Sequence, residues 1–226
     1  LVELHRLGRP SGTDIANQLH LVENRQYALL LGLRRTRDWT ALRPRAVDAA
    51  LTSLASTYRY VVCDLEADFD GEELTGSADV EDRNCLSRLS ALAADLVFIV
   101  GSAGLKGLHD LTRLRHELGD LGISAERLIP VVNRAPRSTR SKAEFSETLA
   151  KLTPDAWAST PLFLRDHRSL ESIHRLAGPL PEALCRPLAT AALAHLAAHP
   201  HVVREVEPSP LRRTIEHSEH SNRKAS

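Results

Sequence analysis

The sequence contains no methionine among its 226 residues, only three cysteines, and 4% aromatic residues. With Leu1 in first place and no methionine anywhere, the chain is expected to lack its natural N-terminus. Cys63, Cys85 and Cys185 form no Cys-x-x-Cys pair, and their odd number argues against a disulfide framework or a structural zinc site. A reducing, cytoplasmic compartment is the expectation. No run of about 18 apolar residues is present to span a bilayer, and no charged segment followed by an apolar run opens the chain as an export signal would. An excess of charge is also missing: 29 Lys and Arg balance 29 Asp and Glu. Bulk electrostatics therefore gives no reason to expect nucleic acid or an anionic membrane, and either partner would have to be met by a local patch.

What is present suits one globular domain with a substantial core, since 42% of the residues are hydrophobic. Short apolar runs alternate with helical patterns. The runs "LVEL" (1–4), "YRYVVC" (58–63), "DLVFIV" (95–100), "RLIPVV" (127–132) and "TPLFL" (160–164) read as strands. Between and after them, 44–56, 82–94, 107–122, 140–152, 168–177 and 181–199 read as helices, with Pro44 suited to an opening turn and a glycine closing the segment at 122. Strands rich in Val, Ile and Leu separated by helices call for an α/β, doubly wound and mainly parallel sheet flanked by helices. The periodic pattern covers 1–197. Residues 198–226 are rich in Pro, Ser, His and charge, which predicts a disordered tail.

In open parallel sheets, ligands sit beyond the carboxyl ends of the strands. That rule selects Glu3 and His5, Asp64, Gly101, Asn133, and Arg165 with Asp166. Asp64 closes "YVVCD" in the manner of a Walker B element, where a buried strand fixes a carboxylate to hold a water of a magnesium-bound phosphate; a strand-end Asp can equally cap the following loop. The acidic loop beyond it, 65–82, exceeds what magnesium needs, because that ion takes one or two carboxylates and keeps waters. The loop reads rather as a solvated or partner-facing switch. Asn133 offers a donor and an acceptor suited to a purine edge, and is also a common turn former.

"GSAGLKGLHD" (101–110) has the glycines of a phosphate loop in the wrong order, with Lys106 before Gly107 and no hydroxyl residue after it, so a tight strand-to-helix turn is expected. Arg134, Arg137, Arg140 and Lys142 form a basic patch that could meet nucleic acid, a membrane surface or an acidic partner, although no interleaved aromatic supports base stacking. His195 and His199 lie one helical turn apart and His201 follows, a spacing compatible with metal ligands, but with no acidic or cysteine partner nearby a non-metal role is favoured.

The segments "LVELHRLGRPSGTDIANQLHL", "YRYVVCDLEADFDGE", "AADLVFIVGSAGLKGLHDLTRLRHELGDLGI", "RLIPVVNRAPR" and "PLFLRDHRSLESIHRLAGPLPEAL", in that order, resemble the MinD/ParA-type P-loop ATPases, including the CpaE/TadZ-like branch. The resemblance implies a P-loop NTPase-like fold that is N-terminally truncated here, since the family's P-loop would lie before Leu1. It implies ATP and Mg2+ as cofactors of the parent protein. It makes Asp64 the Walker B-like, magnesium-side acid and Glu3 the acid before the first switch, where the family more often has Asp. Asn133 becomes the adenine-edge reader and Asp166, beside Arg165, the acid of the base-pocket segment, with Leu164 where proline is usual. A nucleotide-dependent homodimer, a protein partner for loop 65–82 and a role in positioning cell-division, chromosome, plasmid or pilus machinery follow from the same resemblance. Without the phosphate loop, the chain alone is expected to bind ATP weakly and not to hydrolyse it. The alternative is a non-hydrolysing interaction scaffold of the same fold. A nucleotide-sugar or methyl-transfer enzyme is disfavoured by the lack of a glycine fingerprint after any strand.

Overall fold

The computed structural model describes residues 2–33, 35–154, 157–176 and 178–199. The tail expected over 198–226 therefore lies, from residue 200 onward, outside the described residues. The described chain is an α/β protein in two compact units, one built from residues up to 66 and from 71–90, the other from 67–70 and from 91 onward.

The first unit begins with α1 (Val2–Leu7) and α2 (Gly12–Ala16), followed by an antiparallel hairpin of β1 (His20–Val22) and β2 (Tyr27–Leu29). α3 (Pro44–Thr57), α4 (Glu72–Thr75) and α5 (Ala78–Ala93) complete it, the last three residues of α5 belonging to the second unit. α3 is its centre. Pro44 stands in the opening turn, where a missing N–H costs nothing. Ala50 and Leu54 join Leu4 of α1 and Ile15 of α2 in one apolar cluster, and Val47 joins Leu42 and Cys85 in another.

Two expected strands are not formed. Residues 1–4 were expected to be extended, but α1 occupies 2–7, with Leu4 fully buried and Glu3 paired to Arg6 one turn on at 2.9 Å. An apolar run of four residues carries too little period to separate strand from helix, and the i,i+3 ion pair belongs to the helix. Residues 58–63 run without regular structure, and their apolar side chains are not buried: Tyr60 is 61% and Val62 94% exposed. A strand needs a hydrogen-bonded neighbour, and this segment pairs with none of the described strands.

The second unit matches the expected alternation closely. β3 (Val97–Ser102), α6 (Leu105–Asp120), β4 (Leu128–Ala135), α7 (Thr139–Leu152), β5 (Leu162–Arg165), α8 (Leu170–Arg175) and α9 (Glu182–Ala198) follow in order. The strands form a parallel sheet in the order β3-β4-β5, with helices against it. β4 is central, and its first five residues, Leu128–Val132, are all buried, as a strand with two neighbours in a covered sheet should be. Pro130 is tolerated there because the pairing to β5 starts one residue later, at Val131 opposite Leu162.

α6 crosses from β3 to β4 and buries Leu108, Leu111, Leu114 and Leu118, an apolar stripe at helical spacing. It ends in a Schellman motif: Gly122 takes a left-handed φ of 95°, and the Ile123 N–H donates to the Leu118 carbonyl at 2.9 Å. Ile123 and Leu118, both buried, supply the hydrophobic contact that accompanies such a stop. Among the described residues, no helix is long and apolar enough to cross a membrane.

Candidate functional site at the carboxyl edge of the sheet

Parallel register places the carboxyl ends of β3, β4 and β5 along one edge. Ser102 stands opposite Asn133, and Ala135 opposite Arg165. The sheet thus brings Gly101, Asn133, Arg165 and Asp166 together as the sequence expects. Asn133, Arg165 and Asp166 are all exposed.

The turn from β3 into α6 is tight. A Cβ on Gly107 would stand 1.6 Å from the Ser102 carbonyl oxygen, and one on Gly101 would stand 2.8 Å from the Gly107 carbonyl oxygen. Only glycine lets the first turn of α6 approach the strand end so closely. Gly104 is the N-cap at φ 105°, and it has no side chain to accept from the first-turn amides. Lys106 is exposed on that turn.

At the end of β4 the ladder is irregular between Val132 and Ala135, and Arg134 adopts a left-handed φ of 52°. Such a conformation costs about 1 kcal/mol or more for a side chain with a Cβ. The Asn133 Oδ1 accepts the Arg134 N–H at 2.9 Å, which holds the bend, and the Asn133 side chain is exposed. Sequence reading had no signal for this bulge. Bulges re-aim side chains at sheet edges, and this one turns Asn133 and Arg134 into solvent.

The basic patch is only partly available. Arg140 pairs with Glu144 at 2.9 Å, and the Lys142 ammonium lies 5.5 Å from the centre of the Phe163 ring. Arg134 and Arg137 remain exposed.

The remaining site residues are placed elsewhere. Glu3 lies on α1 in its ion pair with Arg6, and His5 lies on the same helix. Asp64 is exposed in the irregular segment that follows α3, not at the tip of a buried strand. The acidic segment is structured rather than bare. Phe69 is buried, Arg113 of α6 donates to the Ala67 carbonyl at 3.4 Å, and Asp68 accepts the Asp70 N–H at 3.3 Å. Farther on, the Glu72 N–H donates to Glu81 at 3.0 Å and Arg88 lies 3.8 Å from Glu73.

Asp64, the carboxylate expected on the magnesium side, is held by no strand and is exposed to solvent. Among the described residues no group of three or more His, Cys, Asp or Glu side chains could hold a metal ion. No family model, curated protein or solved structure matches the chain.

Proposed function

We propose that the chain is a partial, non-hydrolysing MinD/ParA-like domain, the parent protein acting as an ATP-dependent positional switch. In this reading the three-stranded sheet is part of a doubly wound, P-loop NTPase-like sheet. One observation carries it: the parallel register aligns Asn133 with the glycine-rich start of α6 and with Arg165 on one open edge. An exposed amide, cationic side chains and uncapped helix amides are groups that can meet a nucleotide's base and phosphates. The base side falls to Asn133, Arg165 and Asp166. A homodimer of the nucleotide-bound parent, with loop 65–82 facing a protein partner, completes the proposal; Arg134 and Arg137 are the cations left for an anionic surface.

This chain alone does not turn over ATP, because it contains no Gly-x-x-x-x-Gly-Lys-Ser/Thr loop to hold the phosphates. A scaffold that binds protein without hydrolysis is the second reading. It is favoured by the positions of Glu3, engaged with Arg6, and of Asp64, exposed and unsupported by a strand.

Calorimetric titration with Mg-ATP separates the two, using this chain and a longer one in which a phosphate-loop strand and helix are joined ahead of Leu1. Binding by the longer chain, weakened by Asn133→Ala, supports the ATPase reading. No heat from either chain overturns it and leaves the scaffold.

A further inference from the structure

At the opposite edge of the sheet, the residues leading into β3 and β4 meet the last turns of α9. Leu92 to Asp95 together with Glu126 and Arg127 wall a cleft of about 320 Å³, completed by His195 and His199. Arg127 is its post. Its Nη2 donates to the Leu92 carbonyl at 2.9 Å and also to the Ala94 carbonyl, closing the end of α5, while its Nε is sealed from solvent without a partner.

His195 is only 8% exposed. Its ring stacks on His199 with centroids 4.3 Å apart, and the His199 Nδ1 lies 2.9 Å from the His195 carbonyl oxygen. The other titratable or charged groups lining the cleft are Asp95 ahead of β3 and Glu126 with Arg127 ahead of β4. Burial, then His199 and Arg127, push the His195 imidazole below the usual histidine range; the Asp95 backbone and carboxylate act in the opposite sense without reversing it.

We propose that His195, stacked on His199, is a proton-operated latch, whose neutral ring holds the last turns of α9 against the lead-ins to β3 and β4 and whose protonation releases them. A charged His195 ring, largely buried against His199 and beside the Arg127 guanidinium, is disfavoured in the cleft, and the two carboxylates stand at the exposed rim, where water partly screens them. A histidine whose pKa is lowered by docking gives stability that is complete above its free value, about 6.5, and is lost as the pH falls below that toward the docked value. Release therefore belongs to mildly acidic pH.

The test is amide hydrogen exchange on the full chain at pH 7.5 and 5.5, corrected for intrinsic rates. The latch predicts that amides of 192–199 lose protection by up to about tenfold per pH unit for each proton taken up, while those of 129–133 in β4 keep theirs. In His195→Phe, which keeps an aromatic ring and removes the proton, protection of 192–199 becomes independent of pH. The latch is overturned by unchanged protection in the native chain, by equal loss in β4, or by the same pH dependence in His195→Phe. Should that variant not fold, ring-proton titration of the native chain decides: a His195 midpoint apart from the loss of α9 protection refutes the latch, and a coincident one supports it.

Discussion

Gly107→Ala puts the tightest contact of the sheet edge to a quantitative test. The added methyl carbon would lie 1.6 Å from the Ser102 carbonyl oxygen, 2.5 Å from its carbon and 2.7 Å from its nitrogen. All three are backbone atoms, so no rotamer relieves the overlap. To reach even the 3.0 Å limit below which real Cβ atoms essentially never stand, the helix start and strand end must separate by about 1.4 Å. That movement loosens Leu108 and Leu111 from their buried positions, since both lie within the next turn of α6. Overpacking of this kind costs about 3 kcal/mol at the upper end of the usual range, and alanine's better helix propensity returns about 1. The net loss is about 2 kcal/mol from a domain stability of about 5–15. Urea unfolding in a Trp39→Phe background leaves Trp157, whose Nε1 donates to the buried Thr153 hydroxyl at 2.8 Å, to report on the second unit. With a slope of about 2 kcal/mol per molar, the midpoint falls by about 1 M. Gly32→Ala, where nothing stands within 4 Å, is the control and shifts it little. A Gly107→Ala midpoint equal to the control would refute the close approach of α6 to β3.

Two further outcomes follow from the same geometry. Phe69→Ala removes the buried anchor of the acidic segment and costs about 3 kcal/mol; limited proteolysis then cuts near 66–70 faster than in the native chain, and an unchanged rate would show that Phe69 is not the anchor. Arg134→Gly relieves a left-handed residue at φ 52° and raises the urea midpoint by the equivalent of about 1 kcal/mol. A lowered midpoint would mean that the arginine side chain contributes more than its backbone costs.

The second unit was legible because its signals are mutually consistent. The run at 128–132 is apolar without alternation, as a central parallel strand requires, and Leu108, Leu111, Leu114 and Leu118 repeat at helical spacing before a glycine stop. The first unit was less legible because its short runs are ambiguous. "LVEL" fits either period, and the β1–β2 hairpin has strands of three residues joined through Gln26 at φ 54°, a conformation that the sequence does not announce as Asn or Gly would. "YRYVVC" has the composition of a strand and no partner among the described strands, which shows the limit of composition: β propensity measures fit to a sheet surface, not the presence of a sheet. At the candidate site, Asn133, Arg165 and Asp166 were reached through the strand-end rule. The left-handed Arg134 was not, since a bulge leaves no spacing to read, and the His195–His199 spacing was legible while the cleft it lines was not, because the cleft's other walls come from segments distant in sequence.

The two edges of the β3–β5 sheet treat their helix ends in opposite ways. At the edge beside α9, the last carbonyls of α5 are met by Arg127, so the polar groups there are largely satisfied within the protein. At the carboxyl edge α7 is also closed, because the Ser138 hydroxyl accepts the Ser141 N–H. α6 is different. Its N-cap is glycine, its first-turn amides receive no side-chain acceptor, and its dipole points the positive end at the same edge as Asn133 and Arg165. Water can satisfy those amides, but an anion does so with a charge of the favoured sign, adding about 0.3–1 kcal/mol from the dipole alone. That increment is small beside what a phosphate loop supplies. Under the proposed function it is enough to orient an anionic group held elsewhere and too little to hold one, and the uncapped start of α6, rather than the Arg140–Lys142 patch on α7, is the place on this edge where such a group gains from the dipole.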